Sequence, residues 1–215
     1  MPKDSDLGAF SFDVVLLAGG RSRRMGTPKG SLDFRGTPWI RHQIDEILKL
    51  TPRRVVVVVG EHSAPYRIAL KGVPDSVQVV LNPDFDAAPF LSLQRGLNGL
   101  LEDAADHRGW IWVQPLDTVV PEPPICEILL RHCVESAPNI EVIRPTHNAR
   151  NGHPVIMSHD FCRKILQVVP DKDDARLDRQ IKNLGAEHVC GVPVNSANVL
   201  LDFNQPEQWQ AFVAK

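Results

Sequence analysis

Residues 55–59 are five consecutive valines, set between Arg54 and Gly60. A strand with one face in water alternates apolar and polar side chains. An unbroken β-branched run has no polar face to offer, and so belongs inside a sheet covered on both sides. Sheets of that kind are mostly parallel, because the helices that connect parallel strands lie on the two faces. Other short apolar runs, Val14–Ala18, Val77–Leu81, Trp110–Val113 and Ile140–Ile143, predict further strands. Between them, Trp39–Leu50 carries Ile40, Ile44, Ile47 and Leu48 at helical spacing. Leu91, Leu93, Leu97, Leu100 and Leu101 predict a second helix, and the segment from Pro124 to Ser136 a third. Towards the C-terminus, Pro154–Met157, His188–Val192 and Val199–Phe203 predict strands, and Asp160–Val168, Ala175–Leu184 and Pro206–Val213 predict helices. The alternation predicts an α/β fold: a single Rossmann-like three-layer sandwich, a mostly parallel sheet with helices on both faces. A length of 215 residues suits one such domain, read here as 13–215 after a short polar, uneven segment 1–12.

Charge and cysteine usage narrow the function. With 24 Lys+Arg against 26 Asp+Glu, the net charge of −2 argues against a general nucleic-acid-binding surface. The four cysteines, 126, 133, 162 and 190, form no CxxC pair and so lack zinc-site spacing. Cys126 and Cys133 share a face of the predicted helix and read as small core residues. The apolar run Val14–Ala18 is far too short for a leader or a membrane span, so a reduced, cytoplasmic protein is expected. No nucleophile elbow with a triad and no HExxH is present, which leaves hydrolase chemistry without a carrier.

In doubly wound folds ligands sit beyond the carboxyl ends of the strands. The loop after the first strand reads Leu17-Ala-Gly-Gly-Arg-Ser-Arg-Arg-Met-Gly-Thr-Pro-Lys29. Gly19 and Gly20 permit a tight turn whose free amides form an anion nest. Arg21, Arg23, Arg24 and Lys29 put four cations within nine residues, which points to a polyphosphate. The spacing matches neither the Walker A pattern nor GxGxxG. Past another strand stands Asp117, which by itself reads as a helix cap or turn residue. Asp202, at a predicted strand end, by itself reads as a surface carboxylate. His153, after Gly152, is a substrate contact or a packed residue. Ser92 is a ligand contact or an ordinary residue of a helix N-terminus.

LAGGRSRRMGTPK resembles the opening motif of the MobA-like nucleotidyltransferases, approximately LAxGxSxRMGxxK. The group includes enzymes that attach GMP or CMP to molybdopterin. The resemblance extends to Asn82-Pro…Ser92-Leu and Pro115-Leu-Asp117…Pro121, and on to Gly152-His-Pro-Val155, Asp174-Ala-Arg176 and Asp202-Phe-Asn-Gln-Pro-Glu207. It implies a nucleotide bound by Leu17, Ala18, Gly19, Gly20, Ser22, Asn82 and Ser92. Arg24 would bind the β/γ-phosphates and Lys29 the α-phosphate. Mg²⁺ would be held by Asp117 and Asp202, and His153 and Arg176 would meet the acceptor. The sequence departs from the family pattern at Ala87-Ala88, where Gly is usual, at Asn151 for Arg, and at Asn204 for Asp. The double glycine favours GTP as donor, whereas GHPV and the DFNQPE ending favour CTP. The implied acceptor carries a phosphate, with molybdopterin leading and a sugar 1-phosphate as the rival. A degenerate family member that binds nucleotide without turnover is the reading of another class. The resemblance implies no nucleic acid and no membrane; a transient protein partner that delivers or receives the cofactor is compatible with it.

Overall fold

The computed structural model describes residues 10–20, 22–60, 64–84, 89–101, 109–170 and 175–214. Arg21, Asp174 and the pair Ala87-Ala88 lie outside these residues, as do residues 1–9 of the segment set apart by sequence. The strands are β1 (Phe12–Ala18), β2 (Asp33–Phe34), β3 (Thr37–Pro38), β4 (Arg54–Val59), β5 (Val77–Leu81), β6 (Trp110–Pro115), β7 (Val142–His147), β8 (Arg150–Asn151), β9 (Val155–Ser158) and β10 (Val189–Pro193). The helices are α1 (Trp39–Leu48), α2 (Ala64–Ala69), α3 (Pro89–Leu101), α4 (Pro123–Glu135), α5 (His159–Leu166), α6 (Leu177–Leu184) and α7 (Pro206–Val213).

One sheet runs β10-β7-β9-β6-β1-β4-β5, with β8 paired to β7, and β2-β3 form a separate small hairpin. Pairs β1/β4, β1/β6, β4/β5 and β7/β10 are parallel. β9 runs antiparallel to both of its neighbours, β6 and β7. The sheet is therefore mostly parallel, as predicted, with one reversed strand inside it.

The valine run behaves as its composition dictates. All five valines of β4 are fully buried. Val55, Val57 and Val59 pack into the core under α1, α4 and α7, and Val56 and Val58 into the core under α3, α5 and α6. Helices therefore cover both faces, as the three-layer reading requires. The approach of α3 is close enough to dictate one residue: a Cβ on Gly96 would stand 2.5 Å from Val15 Cγ1 and 3.0 Å from Val58 Cγ2. Gly96→Val is expected to overpack this layer and destabilise the fold by about 1–3 kcal/mol, read as a lower urea midpoint. An unchanged midpoint would show that the layer yields.

Cys126, Cys133 and Cys162 are buried core residues, and burial pushes the Cys126 thiol up to about 12. Among the described residues, no helix is long and apolar enough to cross a membrane.

The strand predicted at Val199–Phe203 is a correction. Residues Ala197–Leu200 form a 3-10 turn, capped where Ser196 Oγ accepts from the Asn198 amide at 3.3 Å. Only Asp202 retains extended pairing, a single antiparallel bridge to Thr118. The Val199 carbonyl is occupied by the His153 amide at 2.8 Å, so no ladder can form there.

Candidate active site

The carboxyl ends of β1 and β6 form a cleft of about 350 Å³ lined by Leu17, Ala18, Gly19, Gly20, Ser22 and Lys29 on one side. Tyr66, Ser92 and residues 115–117 complete its wall. A Cβ on Gly20 would meet nothing within 4 Å. The missing side chain therefore leaves room for a ligand at the backbone rather than for another protein group.

The loop after β1 is held by its own side chains. Ser22 has a left-handed backbone with φ 49°, and its Oγ accepts from the Lys29 amide at 2.9 Å. The next amide, Gly30, donates to the Tyr66 hydroxyl at 3.1 Å. A Cβ at position 30 would lie 2.7 Å from the Tyr66 ring, so glycine lets the loop close on α2. Burial raises the Tyr66 phenol above its ordinary value, which keeps it a neutral hydroxyl at working pH.

Lys29 is delivered by this closure. Its Nζ donates to Asp117 Oδ2 at 2.9 Å and to Asn204 Oδ1 at 3.2 Å. Asn204 Nδ2 in turn donates to Asp202 Oδ2 at 2.9 Å. Arg24 approaches the same Asn204 Oδ1 at 3.5 Å. Four of the charged residues singled out in the sequence, Arg24, Lys29, Asp117 and Asp202, thus converge on one amide.

The backbone fixes this convergence. The Phe203 amide donates to the Asp117 carbonyl at 2.7 Å, beside the Thr118–Asp202 bridge. The two carboxylates therefore project from adjacent stretches of chain. Below Asp117, Trp39 Nε1 donates to the Leu116 carbonyl at 2.7 Å. Thr118 Oγ1 donates to the Pro115 carbonyl at 2.8 Å and accepts from Gln114 Nε2. On the C-terminal side, Gln208 Oε1 accepts from the amides of Asn204 at 2.7 Å and Gln205 at 2.9 Å, tying the Asp202–Asn204 turn to α7.

His153 faces Asp117 and Asp202, whose charges favour its protonation, but burial outweighs them and lowers its pKa, so the imidazole is neutral at pH 7. Its Nδ1 is buried without a hydrogen-bond partner. Gly152 sets its place: a Cβ there would come within 2.5 Å of the Val199 carbonyl. The His153–Pro154 peptide is cis.

The remaining sequence candidates divide. Ser92 lines the cleft from α3, and its Oγ accepts from the buried Asn82 Nδ2 at 2.9 Å. Asn82 also accepts from the Asp84 amide at 3.1 Å, so it braces Ser92 and is not among the cleft-lining residues. Arg176 lies exposed at the start of α6 and forks onto Asp178 at 3.0 and 3.2 Å, so the structure does not bring it into the cluster.

Sequence reasoning missed three contributors. Tyr66, the only tyrosine of the chain, sits on a six-residue helix too short to leave a periodic signal. Trp39 reads as an ordinary core residue until its indole is seen on Leu116. Asn204 reads as a departure from a motif, yet its amide joins both cations to Asp202.

Among the described residues no cluster of three or more His, Cys, Asp or Glu has metal-binding geometry. Asp117 and Asp202 supply two hard oxygen donors on neighbouring backbone. This suits a cation that completes its shell with phosphate and water, as Mg²⁺ does.

A glycine-rich loop at the carboxyl end of a parallel sheet, with Lys29 and Asp117 lining its cleft and Asp202 joined to them through Asn204, defines an α/β nucleotide-handling enzyme. The model of the MobA-like NTP transferase domain matches residues 14–188, and the chain belongs to that family of nucleotidyltransferases. It is similar to the probable molybdenum cofactor guanylyltransferase of Rhodopirellula baltica, 26% identical over 199 residues that cover 89% of this chain and 90% of the relative. The molybdenum cofactor guanylyltransferase of Vibrio cholerae is 26% identical over 204 residues, covering 93% and 90%. Among solved structures, Rv0371c from Mycobacterium tuberculosis superposes with a TM-score of 0.73 at 21% identity, covering 96% of this chain and 100% of that one. The same protein has also been solved as a complex with manganese.

Proposed function

We propose that this enzyme transfers GMP from GTP to a phosphate-bearing acceptor, molybdopterin, and releases pyrophosphate. The observation that carries the reading is the hydrogen-bonded network that links Lys29 and Asp117, which line the cleft beside the glycine loop, to Asn204 and Asp202. The choice of donor and acceptor follows the names of the curated relatives, which are guanylyltransferases.

In this reading an oxygen of the acceptor phosphate forms a new bond to the α-phosphorus. The bond from the α-phosphorus to the bridging oxygen breaks, and pyrophosphate leaves with that electron pair. A phosphate monoester is largely a dianion at neutral pH, its second pKa being about 6, so no general base is needed. Catalysis then rests on positioning and charge neutralisation. The amides at Ala18–Gly20 cradle the nucleotide, and Leu17 and Ser92 wall the cleft. Ser22 holds the loop so that Lys29 can turn from Asp117 to the α-phosphate. Arg24, exposed at the rim of the cluster, meets the β/γ-phosphates. Asp117 and Asp202 would hold Mg²⁺, which supplies charge neutralisation between the reacting phosphates. Neutral His153, near both carboxylates, faces the acceptor.

A matrix of the four NTPs against molybdopterin and a panel of sugar 1-phosphates, read by pyrophosphate release with Mg²⁺, tests this. Release is expected with GTP and molybdopterin above every other pair. NTP binding by calorimetry without release from any pair would overturn the enzymatic reading, and a sugar 1-phosphate as best acceptor would overturn the acceptor.

A further inference from the structure

A second cavity, of about 560 Å³, opens between the β7–β10 edge of the sheet and α6. Its lining shares no residue with the catalytic cleft. Arg144 of β7 is paired in register with Gly191 of β10, and Thr146 of β7 with Asn151 of β8. Opposed residues on neighbouring strands project to one face, and so do i and i+2 on one strand. Arg144, Gly191 and Asn151 therefore line one wall, and Asp178 and Lys182 of α6 form the other. A Cβ on Gly185 would stand 2.8 Å from the Glu187 carboxylate oxygens. A Cβ on Gly191 would already stand 3.1 Å from Thr146 Cγ2.

The charges of this cavity do not cancel. Arg144 is half-buried, has no hydrogen bond or ion pair among the described residues, and its Nε is buried without a partner. Burial lowers its pKa, and no neighbouring carboxylate acts against that effect. Of the carboxylates among the described residues here, Asp178 on the wall is held by both arms of Arg176, and Glu187, which stands against Gly185, lies 3.8 Å from His188 Nε2. A buried guanidinium Nε–H without an acceptor is unfavourable, and the planar fork of donors matches a phosphate or carboxylate. The volume lies in the range of small-ligand sites, about 300–1,000 Å³.

We infer that the cavity between β7, β10 and α6 is a second anion site, which takes a phosphate group on Arg144 with Lys182 beside it. The group belongs either to a free inorganic anion or to a small phosphorylated molecule; the recognition chemistry is shared.

The test is a titration of the ¹⁵N-labelled protein with inorganic phosphate and, in parallel, with glycerol 3-phosphate. The readouts are the amides of Gly185 and Gly191 and the Arg144 Nε–H. Saturable shifts at these three positions are expected in the wild type and in Lys29→Gln, whose lesion lies in the other cleft. The same shifts should be lost in Arg144→Gln and in Gly191→Val, which fills the cavity without removing charge. Tighter binding of the ester marks an organic phosphate as the ligand, and equal binding marks the free anion. Shifts confined to the loop around Lys29, or equal shifts in wild type and Arg144→Gln, would overturn the assignment.

Discussion

Asp117→Ala is expected to lower Mg²⁺-dependent pyrophosphate release by at least about a hundredfold, the scale of losing one group that stabilises transition-state charge. The fold should survive. Asp117 lies in a turn, its side chain is 33% exposed, and its partner is Lys29. A pair this close to solvent contributes about 1 kcal/mol or less to stability. Asp117→Asn separates charge from shape. It preserves an oxygen for Lys29 while removing the negative charge a divalent cation needs, so it should fail as completely as the alanine variant. Thermal melts within a few degrees of wild type, with activity lost in both variants, are the expected pattern. Wild-type turnover in Asp117→Asn would remove this residue from metal binding.

The second large effect falls on stability and chemistry together. Trp39 is fully buried at the start of α1. Its ring meets Phe203 at 5.8 Å, Trp209 at 5.1 Å and Phe34 at 5.4 Å between centroids. Trp39→Ala should cost about 3–5 kcal/mol, the range for emptying a buried aromatic site. Trp39→Phe keeps most of the packing but leaves the Leu116 carbonyl without its indole donor. An unsatisfied buried carbonyl costs about 1–3 kcal/mol. Because Leu116 immediately precedes Asp117, the same change should also lower kcat in a protein that remains folded. Urea unfolding and pyrophosphate release, measured on both variants, check the two halves. A Trp39→Phe variant with wild-type values for both would show that the indole hydrogen bond positions nothing.

The same residues show what the sequence could and could not convey. The valines of β4 are legible because a run without polar positions admits only a strand buried on both faces. The loop from Leu17 to Lys29 is legible because its glycines and cations are contiguous. The direction of β9 is not legible, because periodicity carries no sense of direction. Val199–Phe203 looks like a strand by composition, yet the Ser196 cap and the His153 amide claim its backbone, and both are tertiary facts. Asn204 illustrates a subtler loss. In sequence it is an acid replaced by an amide. In space an amide is the residue that can accept from Lys29 and donate to Asp202 at once.

That arrangement has a thermodynamic consequence. The site's charges answer one another: the ammonium of Lys29 donates to Asp117, and Asp202 accepts from Asn204. Lys29 cannot turn to a nucleotide phosphate without releasing a carboxylate, and Asp117 cannot serve a cation without releasing an ammonium. If Lys29 takes the nucleotide and Asp117 the metal, as proposed, freeing either one prepares the other, so the two affinities would be coupled and each would raise the other by the same factor. The enzyme should therefore respond weakly to either ion alone and sharply to the two together.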